Sequence, residues 1–332
     1  MKPLIQKLVE TVGPSGYEAN VRAVIQAEIA SLADEIKVDA LGNLIARVGV
    51  KGPEGLRIML SGHMDEIGVI ATHVDEHGFV RFTTIGGVSP ATCIGGRVAF
   101  MNGVQGLIYM ERLEHSDRLP AIDQLYIDVA ATSREDCPVK VGDVAAFVRP
   151  FLDLNGRLVS KAMDDRIAVA VMIQALKEYQ GGPHEVYFVF STQEEVGLRG
   201  ATTAAFGVDP ELAVAIDVTR TGDTPKGVKM EVALGKGPAI KVRDSGMLAD
   251  PRVVRWMSQT AEQAGIPYQL EVLEGGTTDA RAMQLTRSGV PAGCLSIPTR
   301  YIHSPSEMVD YQDVLQSVKL LGALISHPVS LG

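Results

Sequence analysis

Apolar residues recur at helical spacing from Leu4 to about Ala30, interrupted only at "GPSGYE", where Ser15 or Gly16 is placed to start a second helix. "KVDALGNLIARV" and "LRIMLSGHMDEIGVIAT" then read as two strands separated by the turn-forming "GVKGPEG". Between about Val74 and Pro150 the texture changes to short β segments such as "GFVRFTTIGG", "VQGLIYME" and "GDVAAFVRP", punctuated by glycine and without a convincing helix. From Met163 onward strand and helix alternate. The helices are "DDRIAVAVMIQALKEYQ", "PRVVRWMSQTAEQAG", "DARAMQLTRSG" and Tyr311 to His327; the strands are "EVYFVFST", "LAVAIDV", "YQLEVLE" and "AGCLSIP". The pattern predicts an α/β fold, a mixed and largely parallel sheet with helices on both faces, interrupted by a small β-barrel or sandwich. Residues 1–70 and 156–332 form the two parts of the α/β domain, and 71–155 the β-rich insert.

Composition narrows what such a fold can serve. At 332 residues and 46% hydrophobic, the chain can bury a large core. A net charge of −9 without a basic run excludes nucleic acid and anionic membrane surfaces as main partners and leaves small or peptidic ligands. Cys93, Cys137 and Cys294 lie far apart, a poor disulfide framework that points to a reducing cytoplasm. No apolar run approaches membrane-spanning length, and the N-terminal stretch lacks a secretory pattern, so neither export nor anchoring is expected.

In open α/β sheets ligands sit beyond the carboxyl ends of strands, so the residues after each apolar run carry the chemistry. After "IML" come His63, Asp65 and Glu66; after "LVSKAM" come Asp164, Asp165 and Arg166; after "VYFVFST" come Glu194 and Glu195; after "AVAI" comes Asp217; after "CLSIPTRYI" comes His303. Each has an ordinary explanation alone, as a helix cap, a turn residue or a hydrogen-bonded histidine. Together they need compensating positive charge, because burying carboxylates unpaired costs several kcal/mol. The loops offer only Arg166, Arg199 and Arg220. Metal ions suit the set better, and mixed imidazole and carboxylate donors point to zinc or cobalt, with manganese also suited. With Asp164, Glu195 and Asp217 ionised and both histidines neutral, two divalent ions leave a net +1 that a bridging hydroxide neutralises; two ions can polarise a carbonyl and bring the pKa of water from 15.7 toward about 7.

The motifs "SGHMDEIG", "KAMDDR", "STQEEVG", "AIDVT" and "YIHSPSE", in this order along nearly the whole chain, resemble those of the tetrahedral aminopeptidases, dinuclear metallo-aminopeptidases of glutamyl, leucyl, lysyl or deblocking type that older usage called endoglucanases. The resemblance implies a zinc-exopeptidase-like fold and removal of N-terminal amino acids from peptides by attack of a metal-bound hydroxide. It places His63, Asp164 and Asp217 on one metal and Asp164, Glu195 and His303 on the other, with Asp164 bridging. Glu194 is then the general base, and Asp65 orients His63 through its second ring nitrogen. It further implies assembly through the insert, with dimers building a tetrahedral dodecamer. Asp279 is a weak candidate to meet the substrate's free N-terminus, and Arg220 and Arg243 are weak candidates to favour an acidic N-terminal side chain. His73, His77 and His115 read as surface residues of the insert. The alternatives are a dinuclear deacylase or carboxypeptidase, a glycoside hydrolase, which would need neither histidines nor a crowd of aspartates, and a metal-stabilised scaffold without activity.

Overall fold

A computed structural model describes residues 1–113, 118–329 and 331. The chain opens with two helices, α1 (Lys2–Glu10) and α2 (Ala19–Ile29), and a hairpin of β1 (Glu35–Val38) and β2 (Leu44–Val48), followed by β3 (Arg57–His63). "KVDALGNLIARV" is thus two strands, because Gly42 takes a left-handed φ of 106° and the chain turns back on itself there. The second helix starts at Ala19, later than Ser15 or Gly16, since the Ser15 hydroxyl is engaged with Asp65 and Gly16 adopts φ 86°.

The strands β4 (Gly68–Val74), β5 (Val80–Ile85), β6 (Arg97–Phe100), β7 (Gln105–Met110), β8 (Leu125–Asp128) and β9 (Val144–Phe147), with the single turn α3 (Pro90–Cys93), make a closed barrel in the order β4-β5-β8-β7-β6-β9. Its sequence alternates as a barrel wall must: along β7, Gly106 and Ile108 point inward while Leu107 and Tyr109 face out. Val69, Val80, Phe82, Val98, Ile108 and Ile127 fill the interior. His73 and His77 are exposed on this barrel, and His115 lies outside the described residues.

The remaining elements return to the α/β layer: β10 (Leu152–Leu154), β11 (Arg157–Ser160), α4 (Met163–Glu178), β12 (Glu185–Ser191), α5 (Arg199–Val208), β13 (Leu212–Thr219), β14 (Ala239–Arg243), α6 (Pro251–Gln263), β15 (Gln269–Val272), α7 (Asp279–Gln284), β16 (Ala292–Arg300), β17 (Glu307–Asp310) and α8 (Tyr311–Ser326). The sheet runs β1-β2-β12-β3-β13-β16-β17-β11-β10, with β14 and β15 branching from β16. Its centre, β12, β3, β13 and β16, is parallel and buried on both faces, which is why these strands are almost wholly apolar. Phe188 and Phe190 of β12 enter one core with α1, α2, α4, α6 and α8; Val189 enters the other with α5 and α7. Truncating Phe188 to alanine would cost about 3–5 kcal/mol. Among the described residues no helix is long and apolar enough to cross a membrane.

Candidate active site

The four parallel strands end on one edge. His63 is the last residue of β3 and pairs in register with Ser191, the last of β12, after which the chain turns into Glu194 and Glu195. Asp217 lies near the end of β13, opposite Ser296 of β16, and His303 follows β16. Asp164 enters from the start of α4. Three of these turns carry a non-glycine residue in the left-handed region, Ala162, Gln193 and His303, with φ of 53°, 54° and 63°. Such backbone persists only where the surroundings fix it.

The five candidate ligands converge. His63 Nε2 is 3.0 Å from Asp164 Oδ1, while His303 Nε2 is 3.3 Å from Asp164 Oδ2 and 3.2 Å from Glu195 Oε2. The two oxygens of Asp164 therefore face different histidines. His63, Asp164 and Glu195 lie at mutual ligand spacing, within 4.8 Å, as do His63, Asp165 and Asp217. The sequence named Asp165 beside Asp164 but gave it no place among the ligands. It is fully buried, accepts the His63 amide N–H through Oδ2 at 3.1 Å and does not line the cleft, whereas Asp164 does. Glu194 lines the cleft beside Glu195, with Oε2 3.9 Å from His63 Nε2. Asp65 stands behind His63, its Oδ1 3.3 Å and its carbonyl 3.2 Å from Nδ1.

The electrostatics of this group are unbalanced. Among the described residues neither lysine nor arginine forms an ion pair with Asp164, Glu194, Glu195 or Asp217; histidines are the cationic partners at hand. Burial pushes Glu194 well above the usual carboxylate range, opposed by His63 and reinforced by Asp217, Glu195 and Asp279. Asp217 is raised well above it too, mainly by burial, and Glu195 is raised by burial and by Asp164. At Asp164 burial opposes ionisation, but hydrogen bonding with His303 and His63 outweighs it and lowers the pKa. Glu195 Oε1, Asp165 Oδ1 and Asp279 Oδ1 are buried without a hydrogen-bond partner among the described residues. Orphaned carboxylate oxygens, two imidazoles and a shortage of cations are what a site for divalent cations presents. The residues fit metal ions.

Sequence reasoning missed Glu307 as well. Buried at the start of β17, it accepts the Asp164 amide N–H at 2.9 Å and the His303 amide N–H at 2.8 Å, holding two candidate ligands from behind. Its position in "YIHSPSE", four residues after His303, was the only signal. From the barrel side Gly87 approaches so closely that a Cβ there would sit 2.5 Å from His303 Nδ1. Asp279 lies buried below the floor, its Oδ2 accepting from Ser61 and Ser191 hydroxyls at 2.7 and 2.6 Å. Arg220 lines the cleft; Arg243 is exposed and does not. Arg166 turns away, donating to the carbonyls of Leu8, Thr11 and Gly13. Beyond the ligands the cleft opens to about 970 Å³, walled in part by Leu198, Phe206, Leu273 and Arg281, room for a peptide rather than a single small ion.

Comparison with known proteins agrees with this geometry. A model of the M42 glutamyl aminopeptidase family matches residues 42–320. The lysyl aminopeptidase of Pyrococcus furiosus is 37% identical over 98% of this chain and 96% of its own. The structure of an aminopeptidase from the archaeon Desulfurococcus kamchatkensis superposes with a TM-score of 0.94 at 40% identity, covering 98% of this chain and 94% of that one. The Pyrococcus horikoshii TET1 peptidase, described as assembling into a tetrahedron or a large octahedral shell, superposes with a TM-score of 0.88 at 34% identity, covering 98% and 99%.

Proposed function

The chain belongs to the M42 glutamyl aminopeptidase family, a peptidase hydrolase group, and from that premise we propose that it is a dinuclear metal-dependent aminopeptidase with Asp164 as the bridge. His63 and Asp217 complete one site, Glu195 and His303 the other, with zinc or cobalt the best-suited ions and manganese next. The observation that carries this reading is the Asp164 carboxylate, whose Oδ1 and Oδ2 each face a separate histidine. Ions held there supply Lewis acidity, polarising the scissile carbonyl and making water acidic enough to attack near neutral pH.

The chain's own residues handle protons and position. Glu194 borders the cleft without taking part in the Asp164–His303–Glu195 contacts, which leaves its carboxylate for acid–base work. It takes a proton from the attacking water and returns it to the leaving amine. Asp65 fixes the ring of His63, and Glu307 fixes the backbone at Asp164 and His303. We assign Asp279, sealed under two serine hydroxyls, to supporting the floor. The substrate is a peptide with a free N-terminus, and the three free cysteine thiols fit work in the reducing cytoplasm.

Aminoacyl anilides assayed with apo and metal-loaded protein test the reading. Activity should require a divalent ion and a free α-amine; hydrolysis of the acetylated substrate at an equal rate would make the enzyme a deacylase instead. Assembly extends the proposal: exposed Leu107 and Tyr109 on β7 suit the barrel to subunit contact, in dimers that build a dodecamer. Light scattering should find a particle far larger than 35.5 kDa; a monomer peak with metal present would rule assembly out.

A further inference from the structure

The turn after β12 carries the proposed base and a proposed ligand in consecutive positions, so a shift of its backbone misplaces both. Misplacement by about 1 Å can cost on the order of 10²-fold in rate. Three successive amides of this turn donate to carboxylates. The Gln193 N–H donates to Glu18 Oε1 at 3.1 Å, the Glu194 N–H to Asp65 Oδ1 at 3.0 Å, and the Glu195 N–H to Asp65 Oδ2 at 3.2 Å. Both carboxylates are held in turn by the segment between α1 and α2. Ser15 Oγ donates to Asp65 Oδ2 at 2.6 Å, and the Gly16 N–H to Glu18 Oε1 at 2.7 Å.

That segment is itself fastened. The Gly13 N–H donates to Glu66 Oε1 at 2.9 Å, and Arg166 Nη2 donates to the Gly13 carbonyl at 3.1 Å. A Cβ at Gly13 would lie 2.6 Å from Val21 Cγ2, so the chain runs through a slot that only glycine fits. Glu18 has a plainer role open to it, as the N-cap of α2, and does not take it: its side chain makes no capping hydrogen bond to the helix. It is buried to 4% exposure, and among the described residues no lysine or arginine pairs with it. A buried carboxylate that forms no ion pair among the described residues and neglects its own helix to accept an amide from the base-bearing turn, 175 residues away, needs a reason beyond local folding.

We infer that Glu18 and Ser15 are positioning residues, and that residues 13–18 form a clasp that sets the backbone of Gln193–Glu195 and so aims the Glu194 and Glu195 side chains. The inference rests on the reading of Glu194 as the base. The clasp acts on rate through the turn and leaves ground-state binding of peptide to the cleft walls.

The test uses full-length, metal-loaded protein and the variants Glu18→Ala, Glu18→Gln and Ser15→Ala, measuring kcat and KM on an aminoacyl anilide, bound metal, and hydrogen exchange of peptides spanning 189–198. In Glu18→Ala we expect kcat to fall roughly ten- to a hundred-fold with KM within about two-fold, and exchange to quicken in the 192–195 turn ahead of the flanking strands. Glu18→Gln keeps an acceptor oxygen and should recover most of kcat; Ser15→Ala should fall less than Glu18→Ala, because Asp65 retains both amides. Unchanged turn exchange in Glu18→Ala, or equal loss in Glu18→Gln and Glu18→Ala, overturns the clasp. Should Glu18→Ala not fold, Ser15→Ala decides: faster turn exchange with lower kcat supports it, and unchanged exchange overturns it. If Glu194→Gln proves active while Glu18→Ala still loosens the turn, the base assignment fails and the clasp stands.

Discussion

Two buried acidic clusters lie side by side on the same pair of loops and are neutralised in opposite ways. Glu66, three residues after His63, is gripped by Lys161 at 2.7 and 3.0 Å, has Arg166 at 3.6 Å and accepts the Gly13 amide. Lys161 and Arg166 flank Asp164 in sequence, at −3 and +2, yet both point to Glu66 and, among the described residues, leave Asp164, Glu195 and Asp217 without a lysine or arginine ion pair. One cluster is complete within the chain; the other is not. Buried charge of one sign is tolerated only where something neutralises it, so the second cluster is built for cations that arrive from solution.

The largest effect that tests this contrast is metal removal. Exhaustive chelation should abolish peptidase activity and lower Tm, and zinc, cobalt or manganese should restore both; at a hundred-fold excess over Kd, one bound ion adds about 2.7 kcal/mol. Full activity in chelated protein would erase the distinction between the clusters. Next comes Glu194→Gln, which should keep its metal content, measured by elemental analysis, while kcat falls by about 10²–10⁴-fold. A variant with equal turnover would remove the base from the mechanism.

On the self-sufficient side the effect is on stability. Lys161→Met strips the closest cation from Glu66 and should destabilise by about 3 kcal/mol in urea unfolding, with bound metal per subunit unchanged. If metal occupancy collapsed while stability held, Lys161 would belong to the catalytic cluster after all.

What the sequence disclosed follows the same division. The metal-ligand candidates were legible because each terminates or follows an apolar run, and strand ends in an α/β sheet are where function collects. Arg166 was passed over as a counter-ion for the ligand set in favour of metal ions, and in three dimensions it reaches back to the end of α1. Helix α5 went unseen because "RGATTAAFGV" is mostly small and polar, although two successive parallel strands, β12 and β13, require a crossover between them. β14 went unmarked because the glycine-rich turn "LGKGP" runs directly into its short strand. Glu18 and Glu307 were illegible for a different reason: each acts by accepting backbone N–H groups from distant turns, and no spacing along a chain marks such a contact.

The smallest predicted effect carries the contrast to the cleft wall. Of the two arginines that the sequence offered for acidic substrates, Arg220 follows Asp217 by three residues and faces the cleft, whereas Arg243 ends β14 outside it. Arg220 is exposed and forms no ion pair among the described residues, so its charge is available to a ligand but screened by water. An exposed charge pair contributes about 0.2–1 kcal/mol, which caps the effect at roughly five-fold. Arg220→Gln should therefore lower kcat/KM for N-terminal glutamyl and aspartyl anilides by up to that factor and leave leucyl anilide unchanged, while Arg243→Gln should alter none of them. Equal losses on leucyl and glutamyl substrates would mean that Arg220 shapes the cleft without reading charge, and that selectivity is set by the cleft's apolar wall.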